Sequence, residues 1–98
     1  MMQKHLTQAE LGSLLKEAKE QITIGSQYVH YKDTTKTYIV RDVAILEATN
    51  QPVVVYQAEY GARITFVRPV DEWLEEVEKN NQKVPRFKSL PAGMLRLS

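Results

Sequence analysis

Apolar residues near the start of the chain recur every three to four positions: Leu11, Leu14, Leu15, Ala18 and Ile22, with Lys16, Glu17, Lys19 and Glu20 between them. This spacing gathers the apolar side chains on one side of a helix over residues 7–22 and leaves the charges on the other. The helix start is strongly marked. Thr7 stands at the N-cap position, Glu10 completes a capping box, and Leu6 and Leu11 are spaced for a hydrophobic staple. Gly12 weakens the isolated helix by about 1 kcal/mol relative to alanine, so the helix depends on packing its apolar side.

Gly25-Ser26 interrupts the helical period, and β-branched and aromatic residues then alternate in short runs. Residues 28–31 read as a strand, 33–36 as a turn and 37–47 as a longer strand. Strict alternation from Tyr38 and Val40 would place Asp42 on the apolar side, so a bulge or bend is expected near Arg41. After a loop at 48–52, residues 53–60 form the clearest strand, with Val54, Tyr56, Ala58 and Tyr60 on one side. Gly61 permits a reversal into a strand at 63–68, where Ile64 and Phe66 share a face. These connections are too short for parallel crossovers, which makes the four strands an antiparallel meander.

Pro69 suits a first helical position, and Val70, Trp73, Leu74 and Val77 then form an apolar stripe. The expected second helix carries Asp71 and Glu72 at its start and Lys79 at its end, and Asn80-Asn81 terminates it. A fifth strand at 84–88 would be confined to an edge by Pro85. The fold class is α+β, mainly antiparallel β. It is expected as a small SH3-like, partly open barrel of about five strands, with the N-terminal helix over one open end and a short helix before the last strand. A helix packed on an open antiparallel sheet is the alternative.

A length of 98 residues suits one domain, made of the first helix, a β-rich core at 25–88 and a tail at 89–98. With 43% hydrophobic and 26% charged residues, the chain has the composition of a folded domain and not of a disordered one. The lack of cysteine removes disulfides, thiolate metal sites and cysteine nucleophiles, and suits a reducing cytoplasm. The N-terminal stretch fits neither a secretory signal nor a spanning helix, so no membrane is expected. Net charge is +1, but its distribution is uneven: all twelve acidic residues lie at or before Glu78. Lys79, Lys83, Arg86, Lys88 and Arg96 follow with no acid among them, as a basic segment for nucleic acid or as a partner for the acidic run at 71–78.

Alternation places Tyr28, His30 and Lys32 on one face of their strand, where His30 can bind an anion, move a proton or simply bond to a neighbour. Arg68 and Arg86 can approach one rim of a barrel and hold a carboxylate or phosphate, or each can pair with an acid such as Glu59, Asp71 or Glu72. Tyr31, Tyr38, Tyr56, Tyr60, Phe66, Trp73 and Phe87 can line a peptide or base-stacking groove or fill a core. His5 lies far from His30 along the chain, which makes a metal site poor, and no phosphate-cradling loop or nucleophile elbow is present. No cofactor is expected.

Four ordered blocks carry a family resemblance: Tyr28-Val29-His30-Tyr31-Lys32, the run from Val53 to Gly61, Phe66-Val67-Arg68-Pro69-Val70, and Val84-Pro85-Arg86-Phe87. Together, over about residues 25–87, they resemble the small bacterial family known as domain of unknown function 1653, DUF1653. The family pattern has arginine where Val29 stands, glycine at Asp33 and tryptophan at Phe66. It also has a His-x-Glu-Thr stretch where this chain has Leu46-Glu47-Ala48-Thr49. The resemblance implies a bacterial, cytosolic protein and brings no activity with it.

The expected function is a non-catalytic binding module contacting a peptide, a protein or a small anion through Tyr28, His30, Tyr60, Arg68 and Arg86. Nucleic-acid binding by the basic segment is the alternative, and an enzyme using His30 as general base a further one. Met94, Leu95 and Leu97 offer a route to self-association.

Overall fold

The capping box forms as expected: Thr7 Oγ1 accepts the Glu10 N–H at 3.1 Å, and Glu10 Oε1 accepts the Thr7 N–H at 2.9 Å. It opens helix α1, Gln8–Gln21, in a computed structural model that describes residues 5–90. Only the last turn of α1 is buried, through Ala18 and the C-cap residue Ile22, with Leu15 packed beside them. Arg96 and the self-association residues Met94, Leu95 and Leu97 lie outside the described residues.

Gly25, at φ 90°, reverses the chain from α1 into the sheet, a conformation that a side chain would strain. Strand β1, Gln27–His30, pairs antiparallel with β2, Asp33–Leu46, which pairs with β3, Gln51–Ala58, and this in turn with β4, Thr65–Pro69. The meander is therefore as the short connections predict. The first reversal falls at Tyr31-Lys32 instead of 33–36, so β2 starts earlier than expected. Asp33 still organises the bend that follows: its carboxylate accepts the Thr35 N–H at 3.0 Å and meets Lys36 at 3.8 Å. The bulge expected near Arg41 is present, since Val40 pairs with Tyr56 but Asp42 pairs with Val55. One extra residue there lets both Val40 and Val43 face the core.

The second helix is much shorter than expected. Helix α2 covers only Val70–Trp73, and the residues assigned to its second half form a hairpin, β5 at Glu76–Lys79 and β6 at Gln82–Pro85. Asn80 and Asn81 do not cap a helix; at φ 54° and 65° they are the two-residue turn of that hairpin. Cross-strand pairs Val77↔Val84 and Glu78↔Lys83 supply contacts that a helical continuation could not make with this segment. Asn81→Ala should cost about 1 kcal/mol in urea unfolding, because alanine resists left-handed backbone, whereas Asn81→Gly should cost nothing.

The expected strand at 84–88 is likewise divided. Its first residues belong to β6, and β7, Phe87–Ser89, crosses back to pair with β1. The sheet order is β4-β3-β2-β1-β7, with no ladder between β4 and β7, so the strands do not close into the expected SH3-like barrel. Helix α1 packs on one face of this open sheet, against β2 and β3, instead of plugging a barrel end.

The core lies on that face. Ala18, Ile22, Val40, Val43, Val54 and Val70 surround Trp73, whose indole stacks on Phe87 with centroids 3.8 Å apart and planes 6° off parallel. Edge contacts to Tyr28 and Tyr56, at 5.1 and 4.8 Å, complete an aromatic cluster. Among the described residues no helix is long and apolar enough to cross a membrane.

Candidate functional site

The two helices cover one end of the sheet face and leave the other end concave. There, side chains from four strands converge: His30 on β1, Tyr38 on β2, Tyr56 on β3, Phe66 and Arg68 on β4, with Phe87 of β7 beneath. They enclose a cleft of about 260 Å³. Its aromatic floor is continuous with the core. Tyr56 meets Phe66, Tyr38 and Phe87 at a common centroid spacing of 5.6 Å, so the floor is braced by Phe87 and, through it, by Trp73.

His30 stands over this floor, its ring edge-on to Phe87 with centroids 4.9 Å apart. Its Nδ1 accepts the Lys32 N–H at 3.2 Å. In the neutral imidazole the proton therefore belongs on Nε2, which makes that nitrogen a donor. Burial holds the His30 pKa below its ordinary value, and the nearby Arg68, Arg86 and Lys32 charges push in the same direction.

Arg68 lies with its guanidinium 5.6 Å from the centre of the Phe87 ring, a cation–π placement. Its ion pair to Glu72 Oε1, at 3.4 Å, is long and partly exposed. Arg68 Nε is buried and has no hydrogen-bond partner among the described residues. This guanidinium is thus only partly engaged by the protein.

Arg86 differs. Its side chain bonds Glu75, and its N–H donates to the Glu75 carbonyl at 2.9 Å, fastening the hairpin to the start of β7. Its Nε is also buried without a partner, but Arg86 does not line the cleft and reaches it only through its charge on His30.

Tyr28 is not at the site. It is buried against Trp73, and burial pushes its phenol pKa up. Tyr60 lies beside the cleft and is tied to it through Tyr38, the two hydroxyls sharing a hydrogen bond of 2.6 Å. Of the five expected site residues, the cleft brings His30 and Arg68 together, keeps Tyr60 at one remove, uses Arg86 structurally and loses Tyr28 to the core. Tyr38, Tyr56, Phe66 and Phe87 complete it, and Phe66 shares a face with Arg68 by simple alternation.

A second concavity of about 260 Å³ lies between the hairpin and the β1–β2 turn. Its lining is mostly apolar, and its Lys79 ammonium already donates to the Tyr31 carbonyl at 2.8 Å. Among the described residues no three of His, Asp and Glu come together to hold a metal ion.

The model of the DUF1653 family, described as a protein of unknown function, matches residues 26–89. The chain belongs to the DUF1653 family. The matched residues run from the edge of β1 to the end of β7, so the DUF1653 unit is the sheet with its hairpin and cleft, and α1 lies outside it. The chain is similar to a DUF1653 protein of Bordetella bronchiseptica known from its crystal structure, with a TM-score of 0.59 and 29% identity. That similarity covers 68% of this chain and 86% of the Bordetella chain. No curated protein matches the chain.

Proposed function

We propose that this DUF1653 chain is a non-catalytic binding module whose cleft holds a carboxylate between Arg68 and His30, with the ligand's apolar body against Tyr56, Phe66 and Phe87. The observation that carries this reading is Arg68: a guanidinium laid over an aromatic ring, with a long, partly exposed ion pair and a buried Nε that no described residue satisfies. A carboxylate there would gain charge-assisted hydrogen bonds, and the neutral His30 Nε2–H would add a donor from the opposite strand. The same tautomer weighs against the general-base reading. To accept a proton, His30 must do so through Nδ1, giving up the bond from Lys32, and its lowered pKa makes it a weak base. Nucleic-acid binding by the basic segment has less support, since Arg86 is held by Glu75 and Lys79 by the Tyr31 carbonyl. The cysteine-free composition suits a cytoplasmic setting.

Benzoate, a carboxylate on an apolar ring, is the simplest probe. Titrated into the isotopically labelled protein, it should shift the Arg68 Nε–H and His30 ring resonances while leaving those of Lys83 and Lys88 unmoved. Shifts confined to the basic segment would favour the alternative. The pH dependence has a definite sign. The His30 pKa is lowered in the free protein, and a bound carboxylate favours the imidazolium, at the expense of the Lys32 N–H bond to Nδ1, so binding is coupled to proton uptake. Affinity should therefore rise as pH falls through the bound-state pKa of His30 towards its lowered free-state pKa, which lies below about 6.5, and His30→Gln should flatten that rise.

A further inference from the structure

Strand β4 ends the sheet, and its outer side pairs with no strand among the described residues. Its hydrogen-bonding sense is fixed by the inner ladder. Ala58 N–H donates to the Ile64 carbonyl, and the register continues through Tyr56↔Phe66 and Val54↔Arg68. Antiparallel pairing alternates, so Phe66 and Arg68 spend their backbone groups on β3, while Thr65 and Val67 turn theirs outward; the carbonyl of Pro69, the N-cap of α2, opens that helix. Pro69, which has no N–H, stands on the outward side, where none is needed for the sheet.

Edges of this kind are normally blunted by charge or cover. Here residues 64–67 carry no charge, and Ile64, Phe66 and Val67 are 54%, 40% and 61% exposed. The edge also borders the cleft, because Phe66 and Arg68 line both. A side chain on an added strand, opposite Arg68, would stand about 5 Å from it on the cleft side.

Resting on the carboxylate-binding reading of the cleft, we propose that β4 is the docking edge for an extended acidic peptide. The peptide pairs with the outward groups of Thr65 and Val67 and sets an aspartate or glutamate against Arg68. Charge selects this occupant over a second copy of the chain. In a two-fold pairing centred on Val67, Arg68 would face Phe66 of the other copy, and each Thr65 carbonyl would face a Pro69 with no N–H to give. An acidic peptide supplies both the missing carboxylate and a full set of backbone donors.

The test uses the intact protein and capped octapeptides in which valine and threonine alternate around one glutamate. The peptide should bind more tightly than benzoate and slow exchange of the Thr65 and Val67 amides. Glutamine for glutamate should weaken it about tenfold or more. N-methylating the neighbour of the glutamate that lies opposite Val67 should weaken it similarly, because that N–H faces the outward Val67 carbonyl. N-methylating the glutamate itself should have little effect, since its N–H points away from β4. Val67→Pro should reproduce the loss without unfolding the sheet, as the Val67 N–H is not used by β3. If benzoate shifts Arg68 but the peptides bind no better and ignore N-methylation, the docking edge is wrong and the cleft reading stands. If neither benzoate nor peptide reaches Arg68, both fail. Sedimentation showing a dimer that Val67→Pro dissociates would overturn the peptide in favour of a second copy.

Discussion

Trp73→Ala should remove about 3–5 kcal/mol of folding stability, a large part of the roughly 5–15 kcal/mol that holds a domain of this size. The indole is 1% exposed and belongs to the four-residue α2, which has too few internal hydrogen bonds to persist without its packing. It is stacked on Phe87 and edge-on to both Tyr28 and Tyr56, so truncation opens a cavity among three rings from three strands. Those rings cannot collapse into it without moving β1, β3 and β7 together. Urea unfolding should show the loss as a fall in midpoint, while Leu74→Ala next door, at 41% exposure, should cost under about 1 kcal/mol. A Trp73→Ala loss as small as that of Leu74→Ala would mean that the aromatic cluster is not what fixes α2 to the sheet.

Arg68→Met should weaken benzoate binding about tenfold or more and leave stability within about 1 kcal/mol of the parent. Methionine keeps an unbranched apolar chain over Phe87 but removes the charge and every donor. Its stability cost is small because the ion pair lost, Arg68 to Glu72, is long and partly exposed. Arg86→Met should give the reverse pattern. Its guanidinium bonds Glu75 and closes the base of the hairpin, so stability should fall while benzoate affinity changes less than for Arg68→Met. Calorimetric titration and urea unfolding of the two variants separate the roles. Equal losses of affinity would return both arginines to the site; unchanged affinity in Arg68→Met would remove the carboxylate reading.

The parts of the fold legible in the sequence are those in which local chemistry has one solution. Thr7 and Glu10 define a helix start by themselves, and the displaced Asp42 betrays the bulge because period-two alternation tolerates no other repair. The error after Pro69 comes from a short apolar stripe, Val70, Trp73, Leu74 and Val77, that satisfies a helical period for little more than two turns. Val77 is instead one side of a cross-strand pair, and the choice was made by Val84 and by two asparagines that accept left-handed backbone. That pairing lies between strands whose partnership no periodicity reveals.

The site was half legible for a related reason. Alternation places Tyr28 and His30 on one face of β1, as observed, but does not say which part of that face is covered. The face is covered at the Tyr28 end by Trp73 and open at the His30 end, a difference set by where α2 lands. Arg68 could be read from its neighbourhood in sequence, whereas Phe87 as the floor under both His30 and Arg68 depends on β7 crossing back to β1.

That return of β7 orders events in time. The contacts of β1 with β2, and of β3 with its neighbours, join segments close along the chain, while the β1–β7 ladder joins Val29 to Lys88 and must close over nearly everything between. A chain emerging from the ribosome can pair β1 to β4 early, yet it has no Phe87 to roof the indole or carry Arg68 until the last strand is released. The cleft is therefore completed in one late step, and a nascent or C-terminally clipped chain presents the sheet without it.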